Sequence, residues 1–80
     1  MTNQEKYEVV EEVCNRIRDS LQKESERLKE QAEIWKAKDE IGWTKYCMDK
    51  ACNYVEAQIN VTSVEMAMKW ELLWNSAKKE

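Results

Sequence analysis

A single glycine, Gly42, interrupts a chain of 80 residues that contains no proline. Glycine and proline are the strongest breakers of regular backbone. With one such mark near its midpoint, the chain is constrained to two long helices joined by one turn. The hydrophobic content of 42% is too high for a disordered tail, and the 36% of charged residues suits narrow elements with much solvated surface.

The periodicity agrees with that constraint. Thr2-x-x-Glu5 has the form of a capping box. Tyr7, Val10, Cys14, Ile17, Leu21, Leu28, Ala32 and Trp35 then fall within one helical arc of about 80°. This predicts a long helix over residues 3–40. After the turn at Gly42, Thr44 is an N-cap candidate and the second helix is expected over 44–78.

The main stripe of the second helix is Met48, Cys52, Val55 and Ile59, repeated 18 residues later as Met66, Trp70, Leu73 and Ala77. Eighteen residues are five helical turns, so the stripe stays in phase. Asn60-Val61-Thr62-Ser63 groups poor helix formers, and Thr62-x-x-Glu65 has capping spacing. A break near Asn60 gives the alternative architecture, a three-helix bundle centred on Met66, Trp70, Leu73 and Trp74. A turn centred on Gly42 sets Trp35 opposite Met48, Leu28 opposite Val55, Cys14 opposite Trp70 and Val10 opposite Leu73. The sequence therefore reads as an all-α antiparallel helical hairpin forming one domain, 1–80. Trp35, Trp70, Cys14 and Cys52 are expected in its core, and Cys47 as the exposed thiol.

A further stripe on the second helix, Cys47, Tyr54, Val61, Met68 and Leu72, is displaced from the main one. A helix that is apolar on two faces needs two neighbours, and two helices alone make a thin core. Tyr54, Val61, Met68 and Leu72 are accordingly the expected interface with a second copy or a partner. Trp74, off both stripes, and Trp43, beside the turn, join them because tryptophan is enriched in binding hot spots. Glu26, Glu30 and Glu33 line one side of the first helix as an acidic strip that offers a contact to a basic partner.

Histidine is absent, which removes the commonest general base and metal ligand. No catalytic residue, metal ligand, cofactor site or small-molecule substrate emerges, and the chain reads as a non-enzyme. A net charge of −3, from 13 basic and 16 acidic residues, is too acidic for a phosphate binder, so no direct nucleic-acid contact is expected. Val55 to Trp70 has the length of a helix-turn-helix, but Lys69 is its only basic residue in the recognition position. No apolar run suits a signal peptide or a membrane span, and three cysteines cannot all pair, so a cytoplasmic location is expected. With its tryptophans and a central Gly42-Trp43, the hairpin resembles the WXG-type helical hairpins in architecture, with the signature order reversed.

The functional expectation is a protein–protein interaction module. It would pair with itself and bind an unidentified larger protein, as a small inhibitor or antagonist of the kind phages and mobile elements encode against nucleic-acid enzymes. The alternative is a structural subunit or adaptor completing a partner's helical bundle.

Overall fold

The computed structural model describes residues 1–78 and consists of two helices, α1 (Asn3–Ala37) and α2 (Ile41–Lys78), folded as an antiparallel hairpin. Thr2 caps α1 from extended backbone, its hydroxyl oxygen accepting the Glu5 N–H at 3.1 Å. The three-helix alternative is not adopted, because α2 runs through Asn60 without a break. The Thr62 hydroxyl donates to the Gln58 carbonyl at 3.1 Å and the Ser63 hydroxyl to the Ile59 carbonyl at 3.3 Å. Both side chains thus bond back along the helix they sit in and start no new one.

The turn lies at Lys38–Glu40 and not at Gly42. Asp39 adopts the left-handed conformation, with φ of 58°. The Asp39 N–H bonds to the Lys36 carbonyl and the Glu40 N–H to the Trp35 carbonyl, the paired pattern that closes a helix with a left-handed residue after its cap. Aspartate tolerates that region better than most side chains, so the chain reverses without glycine. Gly42 sits in the first turn of α2 with ordinary helical backbone, and a Cβ built there meets nothing within 4 Å. Thr44 is not the N-cap either: its N–H and hydroxyl both bond to the Glu40 carbonyl, at 3.0 and 2.8 Å, inside that first turn.

Moving the turn also changes the face of α2 that meets α1. The stripe expected to be inward, Met48, Cys52, Val55, Ile59, Met66, Trp70 and Leu73, is exposed along its whole length. The seam uses the residues one position earlier: Cys47, Ala51, Tyr54, Gln58, Glu65, Lys69 and Leu72 are all buried or half-buried. One residue is 100° of helix rotation. Trp35, expected opposite Met48, stacks on Trp43, and Cys14, expected opposite Trp70, lies beside Val61 and Val64.

Size selects this face. The buried seam consists of Cys14, Ser25, Leu28, Ala32, Cys47, Ala51 and Glu65, of which only Leu28 and Glu65 are long side chains. Ser25 is fully buried, and its hydroxyl reaches across to donate to the Ala51 backbone carbonyl of the other helix at 3.3 Å. Small residues on both sides let the two backbones approach closely, and the larger apolar side chains of α2 are left outside. Cys47 is therefore buried and Cys52 exposed, the reverse of the expectation, and Trp70 is 68% exposed.

Candidate interaction surfaces

The first surface is an open groove between the helices, in the half of the hairpin away from the turn. Val9, Val13 and Ile17 recur every four residues and form its α1 wall; Val61, Val64 and Met68 form its α2 wall. The groove has a volume of about 420 Å³, its remaining lining is Val10, Cys14 and Asn60, and no charged side chain enters it. Val9, Val13, Val64 and Met68 are each between 44% and 57% exposed, so the aliphatic surface is open to solvent. Val10, Val9 and Met68 continue into a smaller depression edged by Lys6, Glu71 and Asn75.

Aromatic rings close the turn end of the same side. Trp43 stacks on Trp35 with centroids 5.9 Å apart and meets Tyr46 edge-on at 5.8 Å. Lys38 lies over the Trp35 ring and Lys50 over the Tyr46 ring. Trp43 remains 54% exposed, so the cluster presents an aromatic surface flanked by cations. It borders a second depression of about 460 Å³ that also touches Arg27, Gln31 and Tyr54.

On the opposite side of the seam a charged network fixes the alignment of the helices. Arg18 of α1 donates to the carboxylate of Glu65 and, at 3.3 Å, to the Thr62 hydroxyl. Lys69 pairs with Glu65 at 3.0 Å and reaches Glu11 at 3.8 Å, with its ammonium over the Tyr7 ring. Hydrogen bonds from Arg18 and then Lys69 hold the Glu65 carboxyl below its ordinary pKa despite its burial, and hydrogen bonding to Glu65 raises the pKa of Arg18 and Lys69. The carboxylate is satisfied on both oxygens, as a buried charge requires. Two cations against one buried anion tie α1 to α2 at one register.

The last surface is the outward stripe of α2. Met48, Val55, Ile59, Met66, Trp70 and Leu73 expose between 39% and 68% of their area. At 100° per residue this stripe lies about 180° around α2 from Val61, Val64 and Met68. The groove and the stripe are separate faces.

The residues expected to form a partner interface are thus divided. Val61 and Met68 line the aliphatic groove, while Tyr54 and Leu72 are half-buried in the seam with part of their surface left open. Trp43 belongs to the aromatic end and Trp74 is 53% exposed near the end of α2. Glu26, Glu30 and Glu33 are exposed on the outer side of α1. Val9, Val13 and Val64 lie outside the stripes read from the sequence; the four-residue steps Val9, Val13, Ile17 and Val64, Met68 are the signal that marks them. The Arg18–Glu65 pair leaves no periodic trace.

Among the described residues no group of three or more Cys, Asp or Glu is placed to hold a metal ion, and no helix is long and apolar enough to cross a membrane. Comparison with known protein families, characterised proteins and solved structures finds no match.

Proposed function

We propose that the chain is a non-enzymatic protein–protein interaction module that seats an amphipathic helix of a larger protein in the groove between α1 and α2. The uncharged aliphatic groove of Val9, Val13, Ile17, Val61, Val64 and Met68 carries this reading. An amphipathic helix presents apolar side chains every three or four residues, and four-residue steps along the α1 wall suit that ridge. Valine and isoleucine are stiff at χ1, so ordering them on contact costs little side-chain entropy. The exposed Trp43 and Tyr46 on the same side supply aromatic anchors of the type that dominates binding energy. In this role the chain acts as a small antagonist, covering the surface through which a larger macromolecule engages its own helices. Its unpaired thiols suit a reducing compartment such as the cytoplasm.

A photo-crosslinking amino acid placed at Val13 tests the reading in the cells that make the protein. The expected product is a covalent adduct with one larger protein, lost when Val64→Lys is added and retained with Ile59→Lys. The purified partner should then bind the wild-type chain and not the Val64→Lys variant. Adducts of the chain with itself alone, or an adduct indifferent to Val64→Lys, would overturn it.

A further inference from the structure

The outward stripe of α2 has a symmetry that the groove lacks. Counting back from Thr62 and forward from Ser63, the apolar positions of the stripe fall three, seven, ten and fourteen residues away in both directions. Before the bond they are Ile59, Val55, Cys52 and Met48; after it they are Met66, Trp70, Leu73 and Ala77. A palindromic stripe is what antiparallel self-pairing requires. It allows a helix to lie against an identical helix running the other way with every apolar residue meeting an apolar residue. The steps of three and four are also those of alternating layers in antiparallel helix pairs.

We infer that this stripe is the contact between two copies of the chain, with α2 packed antiparallel on α2 about a two-fold axis at Thr62–Ser63. Ile59 then faces Met66 of the second copy, Val55 faces Trp70, Cys52 faces Leu73 and Met48 faces Ala77. Each layer is apolar, and three of the four set a larger side chain against a smaller one, so that the layers interdigitate. A parallel pairing would instead set Trp70 on Trp70 and Cys52 on Cys52. The layer at the axis is Thr62 with Ser63, whose hydroxyls are already bonded to their own helix.

Three further observations favour a second copy. No charged residue interrupts the stripe between Met48 and Ala77. Its large side chains Met48, Val55, Ile59, Met66, Trp70 and Leu73 leave between 39% and 68% of their area open, so a second copy meets apolar surface along the length of the stripe. An 18-residue repeat gives 3.6 residues per turn, so two such helices pair without supercoiling and the whole stripe stays in contact. The two-fold contact and the groove lie on opposite flanks of α2, so a paired chain keeps its groove open. The inference does not depend on what the groove binds.

Oxidative cross-linking of the purified chain tests it, read beside sedimentation. In the antiparallel pair the two Cys52 thiols stand about 30 Å apart at 1.5 Å per residue, so the wild-type chain sediments as a dimer but forms no Cys52–Cys52 link. Leu73→Cys places a second thiol opposite Cys52 of the other copy. Oxidation of this variant is expected to give a covalent dimer whose linked peptides join positions 52 and 73. Ile59→Lys should weaken pairing by roughly 100-fold or more, since the charge enters an apolar layer, while Val13→Lys in the groove should leave pairing intact. A sedimenting monomer, or a wild-type chain that cross-links through Cys52 alone, overturns the inference. A dimer that survives Ile59→Lys and dissociates with Val13→Lys would move the contact to the groove.

Discussion

Asp39 and Gly42 exchange the roles their side chains suggest, and each can be tested by itself. Asp39 holds a left-handed φ of 58° that glycine adopts without steric cost, whereas Gly42 lies in the helix with open space around its missing Cβ. Asp39→Gly is expected to stabilise the hairpin by about 0.5–1 kcal/mol. Gly42→Ala should stabilise it by about 0.5 kcal/mol, chiefly by restricting the unfolded chain. Denaturant titration of both variants decides the matter, and a loss of stability in Gly42→Ala would return the turn to Gly42. Glu65 makes the other prediction at this scale. Its carboxyl is held below the ordinary value by Arg18 and Lys69. The unfolded chain therefore takes up a proton first as pH falls, and the stabilisation present above the unfolded carboxylate value of about 4.3 is lost through the lower folded value. The thermal midpoint of the wild type should drop steeply below about pH 4, and Glu65→Gln should flatten that drop while lowering the midpoint at neutral pH. Parallel pH profiles for the two proteins would remove Glu65 from the acid response.

Helix packing explains how much of the element scale was legible. The lengths of α1 and α2, apart from their turn-side ends, follow from unbroken 3.6-residue periodicity, and both apolar faces of α2 are visible in the sequence as Met48–Cys52–Val55–Ile59 and Cys47–Tyr54–Val61. Periodicity ranks faces by hydrophobicity, so it assigns the larger side chains to the seam. The hairpin instead closes on Ser25, Ala32 and Ala51, because close approach of two backbones requires small side chains. The groove inherited the same ambiguity: Val61 and Met68 were visible as interface residues, but their α1 wall depends on which way α2 turns. Ala51→Leu tests this packing directly. The residue is 1% exposed and its carbonyl accepts from Ser25, so added bulk must part the helices. The expected cost is about 1–3 kcal/mol by chemical denaturation. Ala67→Leu, on the exposed side of the same helix, should stay within about 0.5 kcal/mol of wild type. Equal effects at the two positions would show that the seam is not close-packed.

Across the whole molecule, shape and stability are tied together. The hairpin measures 64 × 15 × 10 Å with a radius of gyration of 18.3 Å, against about 12 Å for a compact chain of this length. A rod this thin has little interior: among the described residues the buried apolar ones are Cys14, Leu28, Ala32, Cys47 and Ala51, while Val9, Val13, Ile17, Val64 and Met68 of the groove and Met48, Val55, Ile59, Met66, Trp70 and Leu73 of the outward stripe are exposed. Hydrophobic stabilisation scales with apolar area removed from water, so most of what this chain has to offer is realised only when another chain covers it. If α2 pairs with α2, folding and association are linked by mass action and the melting temperature depends on concentration. Each tenfold rise in protein concentration then adds about 1.4 kcal/mol per mole of dimer to the unfolding free energy. For two chains of this size that amounts to a rise of about 4 °C in the thermal midpoint. Circular dichroism melts across a hundredfold dilution series should trace that slope for the wild type, and Ile59→Lys should melt at a lower temperature that no longer moves with concentration. A wild-type midpoint that stays constant across the series would mean that the small-residue seam and the Arg18–Glu65–Lys69 network sustain the hairpin by themselves, and that the stripe plays no part in holding it.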